Sequence, residues 1–324
     1  MSAIPLIDRT YAGIRGFNYV PSTAASIWDM IDRFEPETWD REFGYATRFG
    51  TNTIRIWLDH QSWYRNPQHV VESVGRILDI GERHGIRLLP TLANRWVSGR
   101  YPFGGVDLYT VLRPSMADEY REYVAGLVGA FRDDERVLMW DLCNEPFSFP
   151  PGTEGAFKQE LKEREMGFWR DAFAAARSAS PSQPLTIGLL EEAHNYPVEI
   201  HSLVDVISCH PYQHWDNGGA GFLATCDAYV GLANRAGKPL LASEACQGSL
   251  DDVVRRGIVE FCLGALEERG IGWLAWQLME GLMQTARRDR PDPNCRPGDG
   301  GVHFFVQRDG TTRPHHEESA WRTW

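Results

Sequence analysis

Eight short apolar runs separated by amphipathic stretches predict an α/β chain forming a single (β/α)8 TIM barrel over residues 1–324. Three observations carry the prediction. The apolar runs have strand length and are nearly continuous in apolarity, as expected of parallel strands covered on both faces. The stretches between them begin and end with helix punctuation. No Pro/Gly/Ser-rich linker divides the 324 residues, a length that one barrel can fill.

In chain order the runs are 12–19 (Ala-Gly-Ile-Arg-Gly-Phe-Asn-Tyr), 52–58, 86–93, 137–144, 184–190, 204–210, 239–244 and 271–277 (Ile-Gly-Trp-Leu-Ala-Trp-Gln). After the second run, Asn66-Pro67 supplies an N-cap and a proline at the first helical position. Val70, Val71, Val74, Ile77 and Leu78 follow, and Gly85 ends the segment. Segments 116–132 and 157–179 also read as helices. After the seventh run, Ser249 with Asp252 resembles a capping box. Val253, Val254, Ile258, Phe261, Cys262 and Leu266 are the expected buried face, with Gly270 as the stop. The Gly/Pro/Asp-rich stretch 288–301 reads as a long loop at the carboxyl end of the barrel.

Composition narrows the class. Hydrophobic residues make up 43% of the chain, enough for a large core, and the net charge of −11 argues against a nucleic-acid or anionic-membrane partner. No run reaches about 18 apolar residues, and the first residues lack the basic segment of a secretory signal, so a cytoplasmic chain is expected. Six cysteines without CxxC spacing read as buried thiols in a reducing compartment.

The chemistry concentrates at two strand ends. Val137-Leu138-Met139-Trp140-Asp141-Leu142-Cys143-Asn144 runs into Glu145-Pro146, and Pro239-Leu240-Leu241-Ala242-Ser243 runs into Glu244-Ala245. In such a barrel the carboxyl ends of the strands carry the active site. Two carboxylates delivered there suit hydrolysis of a glycosidic bond. One protonates the leaving oxygen, while the other attacks the anomeric carbon or activates water.

Trp140-x-x-x-Asn144-Glu145-Pro146 followed by Ser243-Glu244 resembles the retaining glycoside hydrolases of the cellulase/mannanase barrel clan, family 5 in particular, along nearly the whole chain. The resemblance implies that Glu145 is the acid/base and Glu244 the nucleophile. It implies that Arg55 hydrogen-bonds the nucleophile and holds it ionised, and that Asn144 binds the sugar 2-hydroxyl. His210-Pro211-Tyr212 matches a His-x-Tyr whose tyrosine faces the nucleophile, and Trp276 matches an aromatic platform under the reacting sugar. Ala93-Asn94-Arg95-Trp96 with Gly104-Gly105 and Tyr109 resembles the strand-three loop of β-mannanases, with Asn94 or Arg95 assisting Asn144. The chain departs from the family at Ser243-Glu244-Ala245-Cys246, where Glu-Phe-Gly is usual, and in the acidic pair Glu191-Glu192. Bland alternatives stay open: Arg55 paired with another acid, Trp276 and Trp273 both core, His210 a satisfied core histidine.

The implied partner is a carbohydrate, with β-1,4-mannan or mannoside favoured over β-glucan, and sugar transfer by the same clan is kept as an alternative to hydrolysis. Tyr19, Trp57, Trp63, Trp96, Tyr101, Tyr212, Trp215 and Trp276 are the aromatic candidates for packing on sugar faces. A Schiff-base mechanism needs a lysine at a strand's carboxyl end. The chain has only Lys158, Lys162 and Lys238, and Lys238 precedes the seventh strand. No cofactor and no metal is expected. His210 and His214 straddle Pro211, which is unsuited to a helix, and His315-His316 reads as a surface pair. A non-catalytic sugar-binding barrel is the alternative of another class. It is disfavoured because both carboxylates, Arg55 and Tyr212 are all present.

Overall fold

The computed structural model describes residues 8–95, 108–149, 152–190, 197–212, 218–282 and 302–317. Every apolar run becomes a strand: β1 (Arg15–Asn18), β2 (Thr53–Trp57), β3 (Arg87–Thr91), β4 (Trp140–Asn144), β5 (Leu185–Leu190), β6 (Ile207–His210), β7 (Leu240–Ala245) and β8 (Gly272–Ala275). Each pairs in parallel with the next, and β8 pairs with β1, closing the barrel. The helices are α1 (Ile27–Asp32), α2 (Pro36–Ala46), α3 (His60–Arg65), α4 (Pro67–Arg83), α5 (Leu108–Leu112), α6 (Pro114–Ala130), α7 (Gly155–Ser178), α8 (Ile200–Leu203), α9 (Gly218–Ala236) and α10 (Asp252–Glu268). No helix among the described residues is long and apolar enough to cross a membrane.

Local chemistry accounts for the helix ends. Asn66 caps α4 by accepting from the His69 amide, with Pro67 in the first turn. Val70, Val74, Ile77 and Leu78 are buried, and Gly85 takes φ +68° just past the helix. At α10 two expectations fail. Asp251 is the cap, accepting from the Val253 and Val254 amides, whereas Ser249 accepts from Asp251. The buried face is Arg255, Val259, Cys262, Leu263, Ala265 and Leu266. Val253 is 75% exposed and Val254 50% exposed. The face is rotated because Arg255 is drawn inward: its guanidinium donates to the carbonyls of Cys246, Gln247, Trp276 and His303.

The strands' outer faces, among them Ile54, Ile56, Leu88, Leu142, Ile187, Leu189 and Cys209, form one core with the helices. At the amino-terminal end a separate apolar cluster of Leu89, Leu138, Met139, Val206, Leu241 and Leu274 collects residues from five strand segments. Above it the barrel interior turns polar. Arg55 on β2 reaches Asp141 on β4 and Glu244 on β7, contacts that cross the barrel and require an inward side chain. The five described cysteines are all buried and free, while Cys295 lies outside the described residues, as does the stretch 288–301. His316 departs from the expected surface pair. It is buried edge-on against Phe305, and only His315 is exposed.

Candidate active site

The two glutamates sit where regular strand geometry gives way. The β4–β5 register shifts between Asp141 and Asn144, and the β7–β8 register shifts between Ala242 and Ala245. Such irregularities re-aim side chains. Glu145 itself has φ +50°, and Cys246, two residues past Glu244, has φ +78°. Backbone strain of this kind in non-glycine residues concentrates at functional sites. The Glu145 amide donates to the Gly188 carbonyl on β5 at 2.9 Å, which anchors the turn.

Glu244 is held by two donors. Arg55 Nη1 donates to Oε1 at 2.5 Å, and the Tyr212 hydroxyl donates to Oε2 at 2.6 Å. Arg55 is shared. Its Nε and Nη2 donate to Asp141 Oδ2 at 3.0 and 2.7 Å, Nη2 reaches Asn144 Oδ1 at 3.0 Å, and Nη1 reaches Asn18 Oδ1 at 2.8 Å. Asn144 Nδ2 donates to Asn94 Oδ1 at 2.9 Å. His210 lies between the glutamates. Its Nδ1 is 2.9 Å from Glu145 Oε1 and 3.8 Å from Glu244 Oε2, and its Nε2 is 2.9 Å from Ser243 Oγ.

Electrostatics follow from this burial. Burial lowers the Arg55 pKa, but Asp141 and Glu244 outweigh it and keep the guanidinium charged. Burial pushes the Glu244 carboxyl above its ordinary range, while Arg55 and the Tyr212 hydroxyl pull it back. Arg55 therefore does less for Glu244 than the resemblance implies, because Asp141 takes part of the same cation. Burial and then the Glu244 charge push Tyr212 well up, so its hydroxyl stays a donor. Burial and then Arg55 press His210 well below its usual value, leaving a neutral ring. Among the described residues, Glu145, His210 and Glu244 are the one group whose ligand atoms could meet a metal ion, all lying within 4.8 Å of one another. In the present arrangement His210 Nδ1 is hydrogen-bonded to Glu145 Oε1, and Glu244 Oε2 accepts from the Tyr212 hydroxyl. A pair of carboxylates this close, beside a neutral imidazole, can deliver a proton and a nucleophile to one bond.

The sequence-derived residues divide clearly. Glu145, Glu244, Arg55, Asn144, His210 and Tyr212 come together. His210, expected with the substrate-binding residues, instead contacts Glu145. Trp276 is half-buried, follows β8 and meets Trp57 edge-on at 5.5 Å; the Trp57 ring in turn lies 4.5 Å from Arg55. Trp96, Tyr101, His214, Trp215, Glu191, Glu192 and the Gly104-Gly105 loop lie outside the described residues. Arg95 does not join the site. It is fully buried and paired with Glu165 of α7 at 3.0 Å. Tyr19 is core, its hydroxyl donating to Glu42, and Trp63 is partly buried against the core, packing on Tyr123. Lys238 is spent on the carbonyls of His201, Ser202 and Val204, away from the site.

Sequence reasoning missed Asn18, Thr91, Asp141, Gly188, Ser208 and Ser243. Asp141 was detectable, since an acid in the middle of an apolar strand needs a buried partner. Gly188 was not, because its reason is spatial: a Cβ there would lie 2.7 Å from His210 Nε2.

The family model described as "Cellulase (glycosyl hydrolase family 5)" matches residues 26–281. The chain belongs to glycosyl hydrolase family 5. Within that family, the chain is similar to "Mannan endo-1,4-beta-mannosidase 7" of Oryza sativa subsp. japonica, 24% identical over 238 residues, 65% of this chain and 57% of the relative. It is 26% identical over 98 residues to "Probable mannan endo-1,4-beta-mannosidase C" of Aspergillus terreus, 26% of this chain and 23% of that protein. The chain thus spans between about a quarter and somewhat over half of these curated relatives. Among solved structures, the endo-1,4-β-D-mannanase of Thermotoga petrophila superposes with TM-score 0.68 at 16% identity, covering 96% of this chain and 99% of that one. The exo-β-1,4-mannosidase Op5Man5 of an Opitutaceae bacterium gives TM-score 0.70 at 16% identity, covering 98% and 61%. At these identities the solved structures share the barrel fold of the family.

Proposed function

We propose that this family 5 protein is a retaining β-glycoside hydrolase acting on β-1,4-linked mannan or mannosides, with Glu244 as nucleophile and Glu145 as acid/base. The observation that carries the reading is the spacing of the carboxylates, an oxygen of one lying within 4.8 Å of an oxygen of the other. Retaining enzymes keep their carboxyls about 5–5.5 Å apart, whereas inverting enzymes leave room for a water at about 6.5–9.5 Å.

In this mechanism Glu244 attacks the anomeric carbon as Glu145 gives its proton to the leaving oxygen. The C–O bond to the leaving group breaks and a glycosyl ester forms on Glu244. Glu145, now a carboxylate, takes a proton from water, which attacks the same carbon and releases the sugar with its configuration retained. Arg55 and Tyr212 orient Glu244, and Trp276 offers an aromatic face to the sugar.

Mannose differs from glucose in its axial 2-hydroxyl. A site built to bond one orientation of a hydroxyl rejects the other, because its own polar groups are left unpaired. Asn144, pinned by Arg55 and Asn94, is the group assigned to that contact. The names of the relatives and the Asn94-Arg95-Trp96 segment favour mannan.

The test compares kcat/KM on manno- and gluco-oligosaccharides of equal length and follows the first-formed anomer by NMR. Retention with a manno preference is expected. An inverted first product would overturn the mechanism, and a gluco preference would overturn the substrate alone. Aryl mannosides set against mannan separate exo from endo action.

A further inference from the structure

Strand β7 carries serine immediately before Glu244. That hydroxyl is not idle. Ser243 Oγ lies against Ser208 Oγ of β6 and 2.9 Å from His210 Nε2, and His210 Nδ1 lies 2.9 Å from Glu145 Oε1. All four side chains are buried. Among the described residues, neither serine hydroxyl has another hydrogen-bond partner. The row runs Ser208, Ser243, His210, Glu145, from the barrel interior out to the cleft.

Counting protons along this row selects one arrangement. A neutral imidazole carries one N–H, and each serine hydroxyl donates once. If Ser208 donates to Ser243, and Ser243 donates to Nε2, the ring proton sits on Nδ1 and is donated to Glu145 Oε1. Every donor then has an acceptor. In the opposite arrangement Nε2–H donates to Ser243, Ser243 donates to Ser208, and the buried Ser208 hydroxyl is left without an acceptor among the described residues. An unsatisfied buried donor forfeits its hydrogen bonds to water without replacement. That loss favours the first arrangement. The burial and the nearby Arg55 that keep His210 neutral leave the hydrogen-bond partners to decide which nitrogen holds the proton. Gly188 leaves room for the ring, since a Cβ there would lie 2.7 Å from Nε2.

We propose that the Ser208–Ser243 pair fixes His210 as the Nδ1–H tautomer, so that Glu145 Oε1 is permanently an acceptor and the catalytic proton is carried on Oε2. Ser243 and Ser208 are positioning residues that act through His210. Because Oε1 is engaged in both protonation states, the acid presents its proton from a single oxygen and its carboxylate does not turn between the two halves of the reaction. The inference rests on the reading of Glu145 as the acid/base.

The test is ¹⁵N NMR of the full chain labelled at histidine, with the His210 signals assigned by their loss in His210→Asn. A protonated Nδ1 and an unprotonated Nε2, unchanged between pH 5 and 8, are expected. A protonated Nε2 would overturn the proposal, and this measurement needs no variant of the serines. The kinetic arm uses Ser243→Ala and, as the milder change, Ser208→Ala. Without the donor to Nε2, Glu145 can place its proton on Oε1 and direct it at the ring. Ser243→Ala should then lose about tenfold in kcat/KM on sugar leaving groups and far less on activated aryl glycosides, as expected when proton delivery is impaired. Ser208→Ala should fall between it and the parent. Equal loss on both substrate types would overturn the role. If Glu145→Ala itself shows no dependence on the leaving group, the acid/base reading fails, while the tautomer measurement still stands on its own.

Discussion

At the residue scale, one arginine holds the site together and has more acceptors than charge. Arg55 serves Asp141, Glu244, Asn18 and Asn144 at once. Asp141 also accepts from the Thr91 hydroxyl and from the Cys143 and Gly188 amides, so it ties β2, β3, β4 and β5 to one carboxylate. Asp141→Asn should have two separable effects. Breaking one partner of a buried ion pair costs about 3–5 kcal/mol, read as a lower denaturant midpoint. Glu244 is then the one carboxylate on Arg55, and the Asp141 charge that raises the Glu244 carboxyl is gone. The acid limb of kcat/KM, which reports ionisation of the nucleophile, should move to lower pH. A limb that moves up would show that Asp141 is not competing for the cation. Glu244→Gln should cost several orders of magnitude in turnover, as removal of a nucleophile does. A 2-deoxy-2-fluoro glycoside should label Glu244 in peptide mass spectrometry, and label on Glu280 would reassign the nucleophile. Glu145→Ala should damage poor leaving groups far more than activated ones, measured on paired alkyl and aryl glycosides.

At the scale of elements, the eight strands and the ends of α4 were legible because each depends on local chemistry. Near-continuous apolarity marks a strand buried on both faces, and Asn66-Pro67 with Gly85 marks a helix by conformational preference alone. The face of α10 was not legible. Val254, Ile258 and Phe261 define one apolar stripe, and Val259, Cys262, Leu263 and Leu266 define another a step around the helix. Periodicity cannot choose between two apolar stripes. The choice is made by Arg255, which reads as a solvent residue until the four carbonyls it serves are in place. The acidic pair was legible because two strands end alike, whereas the serines, Asn18 and Gly188 matter only through neighbours far away in sequence. The corrected α10 gives a direct check. Val253→Thr should change stability by no more than about 0.5 kcal/mol, as an exposed substitution does. Asp251→Ala should cost about 1 kcal/mol through loss of the cap. Denaturant midpoints in the reverse order would restore the Ser249 cap and the Val253 face.

At the scale of the whole molecule, the chain after β8 returns across the seam where the barrel closes. Phe305 packs edge-on against Phe17 of β1 and against Phe49, and Val306 bridges to Met279 and Thr312. His316 is set beneath this strap, edge-on to Phe305, with Nδ1 3.0 Å from the Pro314 carbonyl. Burial, reinforced by Arg255, lowers its pKa from 6.5 to about 3. The sign of the linkage is then determined. Between these two values the unfolded chain binds a proton at this position and the folded chain does not, so stability falls as pH falls. The loss begins near the unfolded value of 6.5, reaches about 1.4 kcal/mol per pH unit below it, and stops at the folded value. Carboxylates add their own acid sensitivity, so the informative quantity is the difference between parent and His316→Gln. Glutamine keeps a polar side chain there but takes up no proton. The variant should start less stable at pH 7 and lose less between pH 6.5 and 4, so the two stability curves converge as the pH drops. Urea midpoints at half-unit pH steps measure this. Parallel curves would mean that His316 is as free to ionise in the folded protein as in the unfolded chain, and that the strap does not seal the seam.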